Sequence, residues 1–153
     1  MKNIDKEKYQ DPYQYIGFLV WVIGNIFGQS MDNSSANKDK ILFSNFMVLA
    51  ALYWLLNEKD NIINQRTLAK YTHLREITVS TIIKKLTKQG YVAISIDKSD
   101  KRSKSLLITS KGVNFLRAML DDVIEKEAKI NKNGLSSLKQ GLAMLLKEVS
   151  NEH

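Results

Sequence analysis

The residues best suited to bind another molecule are hydroxyl and cationic side chains between positions 75 and 102. Hydroxyl groups can bond phosphate oxygens or base edges, while an isoleucine side chain and threonine methyls can contact thymine methyl groups. Lysine and arginine contacts to phosphates position a protein on DNA without reading its sequence. The candidate contact residues are Arg75, Ile77, Thr78, Ser80, Thr81, Lys84, Lys85, Lys98, Lys101 and Arg102.

Positive charge is concentrated in the same part of the chain. The 153 residues carry a net charge of +7, and residues 64–111 hold eleven basic against three acidic side chains, a net +8 that leaves −1 elsewhere. A confined basic module is the electrostatic footprint expected for binding a phosphate backbone. A solvated basic face would give the same count, so charge alone leaves both interpretations open.

Two predicted helices and a turn would position the first group of these residues. Asn64 can cap a third helix, with Ile63 and Leu68 at the spacing of a hydrophobic staple. After a turn at 71–74, a fourth helix is predicted from Glu76 to Gln89, ending before Gly90. One apolar stripe on that helix is formed by Val79, Ile82, Ile83 and Leu86. The pattern predicts a helix-turn-helix whose fourth helix is the recognition helix.

A charged loop between two predicted strands follows. Residues 91–96 alternate, with Val92, Ile94 and Ile96 on one predicted face, and Leu106 and Ile108 share a face of the return strand. The loop at 97–103 contains the basic residues of the second group. Asp100, two residues before Arg102, fits a structural clamp that orders the loop. Strand, basic loop and strand after a helix-turn-helix predict a winged helix whose loop can reach the minor groove.

Four further helices complete the predicted organisation. Residues 10–29 are apolar nearly all round and need a cover, for which a second subunit is a natural choice. A polar loop at 31–40 and a second helix at 41–56 follow. Thr109 can cap a fifth helix that reaches about residue 131, before a break at Asn133–Gly134. The sixth helix has a seam typical of helix pairing: Leu135, Leu138, Leu142, Leu145 and Val149.

Several short motifs follow one another at spacings typical of one family. They are Leu68-Ala69, Thr78-Val79-Ser80, Leu86, Gly90-Tyr91-Val92, Asp97-x-x-Asp100-x-Arg102 and Leu107-x-Thr109-x-x-Gly112. The chain resembles the multiple-antibiotic-resistance regulator (MarR) family of bacterial winged-helix repressors, most specifically over 68–112. The expected fold is mainly α with a small β-hairpin wing. One domain (1–153) would contain a DNA-binding lobe at 41–112 and dimerisation helices at 10–30 and 113–150.

The resemblance implies a function and several partners. It implies an obligate homodimer that binds a pseudo-palindromic operator in double-stranded DNA, with half-sites about 34–36 Å apart. It also implies a ligand-responsive repressor whose effector is a small phenolic or amphipathic molecule. Redox-sensing members use cysteine, which this chain lacks, and zinc-sensing members use clustered histidines, whereas only His73 and His153 occur here.

Two positions depart from the family pattern. Arg75 stands where a Ser, Thr or Asp usually caps the recognition helix, so it either leaves that helix weakly capped or faces DNA. His73 occupies a turn position where the family commonly has Gly, which puts the turn conformation in question. His73 is otherwise interpreted as a polar surface residue, with a catalytic base or ligand sensor as the alternative.

Aromatic and acidic residues have two interpretations each. Tyr13, Trp21, Tyr53 and Trp54 could line a ligand pocket, but aromatics at helical spacing also form cores or dimer interfaces. Asp121, Asp122 and Glu125 could hold a metal or serve acid–base chemistry, but a solvated helix face is the simpler interpretation.

Other function classes are disfavoured. No glycine-rich phosphate loop, Ser/His/Asp arrangement or metal-ligand spacing is found, so we expect no enzyme, no metal and no cofactor. The longest apolar run, at 15–24, is too short to span a membrane, and no signal peptide is recognised. We therefore expect a cytoplasmic protein. The main alternative function is a winged-helix interaction or dimerisation module without specific DNA binding.

Overall fold

Helices dominate the fold, and one β-hairpin interrupts them. The computed structural model describes residues 11–58, 63–96, 104–129 and 132–151. After a 3-10 turn at Pro12–Gln14, the elements are α1 (Ile16–Asp32), α2 (Phe43–Glu58), α3 (Gln65–Thr72), α4 (Glu76–Lys88), β1 (Val92–Ile96), β2 (Lys104–Ile108), α5 (Ser110–Ala128) and α6 (Lys132–Asn151). The prediction of a mainly helical fold with a small hairpin is confirmed.

The main core lies inside the helix-turn-helix and hairpin. Apolar side chains from α2, α3, α4 and both strands form one buried cluster, to which Val79, Ile82, Ile83 and Leu86 all contribute. Ile63 also belongs to it, and its carbonyl accepts a hydrogen bond of 2.7 Å from the amide of Leu106. The predicted stripe of α4 is thereby confirmed.

A second, smaller core joins the lobe to the flanking helices. Met31 of α1, Phe46 of α2, and Leu116 and Met119 of α5 form this cluster. It fixes α5 and the C-terminal end of α1 against α2. No α6 side chain is buried among those that the structure describes.

Helix boundaries differ from the predictions at three places. Helix α1 begins at Ile16 and continues to Asp32, inside the predicted polar loop, where the Asp32 carboxylate accepts a hydrogen bond from the amide of Phe43. Helix α5 ends at Ala128, and Asn133–Gly134 lie in the first turn of α6, not in a break. A glycine costs a helix only about 1 kcal/mol, which the apolar seam that follows can offset.

The hairpin confirms the predicted strands but only part of their burial. β1 and β2 are antiparallel, with Val92 opposite Ile108 and Ile94 opposite Leu106. Val92 and Leu106 are buried, whereas Ile94 is 42% exposed. The expectation that Ile94 shares a buried face with Val92 was wrong, because the buried lobe cluster includes Val92 but does not extend to Ile94.

Candidate nucleic-acid interface

Helix α4 has one buried and one exposed side. The stripe that begins at Val79 is buried in the lobe core, while Ile77 is 73% exposed. Ile77, Thr81, Lys84 and Lys88 follow one another at intervals of four, three and four, so they lie along one outward line. Their exposure is notable for Ile77, because a large apolar side chain gains nothing from contact with water.

The remaining candidates on α4 flank this outward line. Thr78 and Lys85 are exposed on one side of it, and Ser80 is half-buried on the other. The Thr81 hydroxyl donates to the Ile77 carbonyl at 2.9 Å, which leaves its lone pairs free to accept. Among the described residues, Lys84, Lys85 and Lys88 form no ion pair. The exposed side of α4 therefore presents cations and hydroxyls to solvent.

Helix α3, which precedes the turn, has a defined cap residue at each end. The Asn64 side chain accepts from the amide of Thr67 at 2.9 Å, as predicted for the cap of α3. His73 adopts the left-handed conformation, with φ of 53°, so it has the geometry that a glycine would favour at this position. The turn is thus retained despite the histidine.

Arg75 is the N-cap residue of α4 and provides no side-chain cap. Its backbone is extended, with φ of −63° and ψ of 141°, and its side chain is exposed. Glu76 in the first turn supplies a negative charge near the helix N-terminus and lies 3.8 Å from Arg66. The expected lack of a cap at Arg75 is confirmed, and its side chain is exposed at the N-terminus of α4.

The structure does not describe the loop of the wing. Lys98, Lys101 and Arg102, together with Asp100, lie outside the described residues. Their proposed contacts stay predictions. The two strands that carry this loop run directly from the C-terminal end of α4 to the N-terminus of α5.

A cluster of polar contacts joins the C-terminal end of α4 to α5. The Thr109 hydroxyl donates to the Gly90 carbonyl at 2.7 Å and accepts from the amide of Gly112 at 3.0 Å, which confirms the predicted cap of α5. The Lys111 Nζ donates to the Gln89 carbonyl at 3.0 Å. A Cβ at Gly112 would lie 2.3 Å from the Tyr91 carbonyl oxygen. The end of the recognition helix is therefore in close contact with the first turn of α5.

Asp39 connects this cluster to the loop between α1 and α2. The buried Tyr91 donates a hydrogen bond from its hydroxyl to the Asp39 carboxylate, and Lys111 Nζ lies 3.2 Å from the same carboxylate. The bond from Tyr91, followed by the one from Lys111, lowers the pKa of Asp39. Burial, followed by the Asp39 bond, raises the pKa of Tyr91, so its phenol stays protonated. We call these three residues the Asp39 joint.

Sequence reasoning missed the Asp39 joint. Tyr91 lies 52 residues from Asp39, so no local spacing connects them. Lys111 was counted with the basic segment, yet part of its charge is compensated by Asp39. The sequence signals available in retrospect are an aromatic residue directly after the helix-ending Gly90 and a lone acid among lysines in the preceding loop.

Of the four aromatic residues predicted for a ligand pocket, the three with described side chains do not line one common cleft. Tyr53 lines a cleft of about 250 Å³ between α2 and α5, with Arg117 and Asp121 among the other lining residues. Trp21 and Trp54 are 63% and 54% exposed, and neither lines this cleft. The Tyr13 side chain lies outside the described residues. The pocket remains a prediction.

Two acidic residues of α5 form ion pairs with lysines one turn further along the helix. Asp122 pairs with Lys126, which lowers the pKa of Asp122, and Glu125 pairs with Lys129 at 2.9 Å. Within the described ranges, no group of three potential metal ligands occurs. In those same ranges, no helix combines the length and apolar character that crossing a membrane requires.

Comparison with known proteins finds sequence matches that include the helix-turn-helix. A model of the MarR family matches residues 45–103. The HTH-type transcriptional regulator SarZ of Staphylococcus haemolyticus (strain JCSC1435) is 32% identical over 91 residues. That match spans 58% of this chain and 58% of the relative, so the chain covers less than two thirds of the relative's length.

Solved structures share the fold over most of the chain. A DNA complex of S. aureus MepR has a TM-score of 0.71 at 19% identity, covering 88% of this chain and 96% of that one. CouR from Rhodococcus jostii RHA1, bound to p-coumaroyl-CoA, has a TM-score of 0.65 at 20% identity, covering 90% and 95%. A MarR/EmrR family regulator from Acinetobacter sp. ADP1 has a TM-score of 0.70 at 18% identity, covering 94% and 97%.

At these identities the structural likenesses establish the fold alone. The family model covers the helix-turn-helix and the first strand. The exposed cationic side of α4 therefore lies within the part of the sequence that matches. The predicted winged helix-turn-helix and the resemblance noted from the motifs agree with both. Residues 45–103 match the MarR family of transcription regulators, and the chain as a whole shares its fold with a solved MarR/EmrR family regulator.

Proposed function

We propose that this protein binds double-stranded DNA in a sequence-specific manner as a homodimer and acts as a ligand-responsive repressor at a pseudo-palindromic operator. The observation that carries the proposal is the two-sided α4. Its buried stripe holds the helix rigidly in the lobe, and its opposite side presents Ile77, Thr81 and Lys84 to solvent. A rigid, exposed helix with cations, hydroxyls and one apolar group suits the major groove.

Exposed apolar residues on the flanking helices support the homodimer. Leu19, Ile23 and Ile26 lie on one face of α1 at intervals of four and three, and all three are exposed. Leu138, Leu142 and Val149 of the predicted seam on α6 are exposed as well. Contiguous apolar surface of this kind marks an interface. A second copy that covers it would hold two recognition helices at a fixed separation.

The relatives support DNA and effector binding by analogy. MepR was solved in complex with DNA, and CouR was solved with p-coumaroyl-CoA bound. For this chain the proposed effector is a small amphipathic or phenolic molecule, and Tyr53 beside the α2–α5 cleft is its first candidate contact. The effector would release DNA only if it binds better to the dimer geometry that does not match the operator.

The proposed test is a titration of the full-length protein with DNA from upstream of its own gene at several salt concentrations. We expect a specific complex whose affinity falls steeply with salt, with a slope of about −0.9 for each phosphate contacted. Salt-independent binding, or equal affinity for a scrambled sequence, would contradict specific DNA binding and favour an interaction module.

A matched pair of lysine variants sharpens this test. Lys84→Ala removes a cation from the outward line of α4 and should reduce the salt slope by about 1. Lys147→Ala removes an exposed cation from α6, on the side opposite the apolar seam, and should leave the slope unchanged. Arg102→Ala tests the wing in the same assay, where a loss of affinity that depends on A·T-rich flanks would indicate a minor-groove contact.

The dimer is tested separately by sedimentation equilibrium. We expect a dimer at micromolar concentration, and Ile23→Asp should convert it to a monomer, because a buried unpaired charge is costly. A wild-type monomer would refute the proposed mode of operator binding.

A further inference from the structure

A basic cleft lies beside α4 and shares Lys88 with the outward line. It has a volume of about 420 Å³ and lies between the start of α2 and the C-terminal half of α4. Its lining residues are Lys40, Ile41, Leu42, Asn45, Lys85, Lys88 and Gln89. We call it the Lys40 cleft.

The Lys40 cleft is lined by the amide side chain of Asn45. Asn45 is only 5% exposed, yet its side chain makes no hydrogen bond to any of the described residues. Asn37, which is equally buried, shows the usual arrangement: its Nδ2 donates to the Ile41 carbonyl at 2.8 Å and its Oδ1 accepts from the Ile41 amide at 2.8 Å. The Asn45 amide lines the cleft and is not bonded to another described group, so it is available to a bound group.

The charges around the cleft are all of one sign. Lys40, Lys85 and Lys88 line it, and none of them forms an ion pair within the described part of the chain. The cleft beside Tyr53 differs, because Asp121 faces Arg117 there, and the cleft beside Lys111 contains Asp39. Among the described residues, no acid lines the Lys40 cleft. The N-terminus of α2, a sixteen-residue helix, adds positive potential from its dipole.

We propose that the Lys40 cleft binds an oxyanion, a phosphate or a carboxylate, with the three lysines supplying charge and the Asn45 amide a hydrogen bond. One anion would then bridge Lys40, in the loop before α2, and Lys85 and Lys88 on α4. The same chemistry could be supplied by a DNA backbone phosphate or by a free small acid. Leu42, which is half-exposed, gives one wall of the cleft an apolar surface that suits the body of such a small acid.

The test uses pyrophosphate as the probe and the full-length protein without DNA. In a ¹H–¹⁵N NMR titration at constant ionic strength, we expect saturable shifts for the amides of Leu42, Asn45 and Gln89. Lys40→Gln and Lys88→Gln should each weaken binding several-fold. Lys84→Gln is the matched control, because Lys84 lies four residues from Lys88 on the same helix but does not line the cleft. It should leave the affinity unchanged.

Two results would overturn the proposal. One is the absence of saturable shifts around the cleft, and the other is an equal loss in Lys84→Gln, which would mean that pyrophosphate senses only the general positive field. Asn45→Asp provides a further check, since a carboxylate in the cleft should abolish pyrophosphate binding. If that variant fails to fold, the exposed lysine variants still decide the question.

The two sources of the oxyanion are then distinguished with DNA. If a backbone phosphate occupies the cleft, Lys40→Gln weakens specific and non-specific DNA binding equally, and DNA displaces pyrophosphate. If a free acid occupies it, Lys40→Gln leaves DNA affinity unchanged and pyrophosphate still binds to the complex. Because the pyrophosphate titration needs no DNA, its failure would leave the proposed DNA binding standing, and the converse also holds.

Discussion

The winged lobe and the flanking helices α1 and α6 differ in how far they bury their apolar side chains. In the lobe, α2, α3, α4 and the hairpin bury one shared cluster that includes Leu49, Leu52 and Leu68. Helix α1 buries only Gly28 and Met31 near its C-terminal end, and the described side chains of α6 are all at least partly exposed. The lobe therefore completes its own core, whereas α1 and α6 leave apolar side chains exposed in the described part of the chain.

We therefore expect changes in the lobe to affect folding stability and changes in α1 or α6 to affect self-association. Removing an apolar side chain from the lobe should lower the free energy of unfolding at any protein concentration. If the proposed dimer forms, removing one from α1 or α6 should weaken it, so the effect should depend on protein concentration. The Asp39 joint lies between the two regions and should transmit changes in α5 to α4.

The largest expected effect comes from a matched pair of leucine truncations. Leu49→Ala in the lobe core should lower the free energy of unfolding by about 2–5 kcal/mol. Leu142→Ala on the exposed seam of α6 should cost little in dilute protein and more as concentration rises. Urea denaturation at two protein concentrations measures both. A concentration-independent loss for Leu142→Ala would mean that α6 packs within its own chain.

A pair of glycine variants should give effects of opposite sign. Gly112→Ala places a Cβ 2.3 Å from the Tyr91 carbonyl oxygen and 2.7 Å from an Ile108 side-chain carbon, so it should cost about 1–3 kcal/mol. Gly141→Ala meets nothing within 4 Å and should stabilise α6 by about 0.4–1 kcal/mol. Thermal denaturation compares them. A loss at Gly141 would indicate that a partner helix approaches its backbone closely.

A smaller effect is expected at the Asp39 joint. Tyr91→Phe removes a buried hydroxyl donor and should cost about 1 kcal/mol near neutral pH. Tyr71→Phe is the control, because the Tyr71 side chain is exposed and its hydroxyl makes no hydrogen bond to the described residues. Denaturation of both variants against wild type gives the comparison, and an equal cost in the two variants would contradict the joint.

The same joint predicts a direction for the pH dependence. The pKa of Asp39 is lowered in the folded protein, so its bonds contribute stability above the unfolded pKa of about 3.9. That contribution is lost as the pH falls through the lower folded pKa. The difference between wild type and Asp39→Asn should therefore shrink below about pH 4. A difference that is unchanged down to pH 2, about two units below that pKa, would show that the charge of Asp39 contributes nothing.

The smallest expected effect is a gain in stability at the cap of α4. Arg75→Ser supplies the oxygen that the first-turn amides lack and should stabilise the lobe by about 0.5–1 kcal/mol. Arg75 is also one of the proposed DNA contacts, so the same change should lower DNA affinity while stability rises. Asn64→Ala, which removes a working cap, should lower stability by about 1 kcal/mol. Unchanged DNA affinity in Arg75→Ser would place Arg75 outside the interface.

Local residue patterns were sufficient to predict the lobe. The periodicity of Val79, Ile82, Ile83 and Leu86 predicted the buried side of α4, and Asn64 and Thr109 predicted two helix caps, because these signals act within a few residues. The exposed candidates on α4 followed from the same periodicity. The prediction was weaker at Ile94 and at Asn133–Gly134, where burial and helix continuation depend on distant packing that strand alternation and glycine propensity do not contain.

The sequence by itself determined the winged helix-turn-helix, the polarity of its recognition helix and the confinement of positive charge, since each depends on spacings within one element. Only the tertiary structure brought Asp39 to Tyr91 and Lys111, placed Asn45 in one cleft with three lysines, and gave Tyr53 a cleft that Trp21 does not line. These arrangements join residues that are distant along the chain, and the contacts between them are set by how whole helices pack against one another.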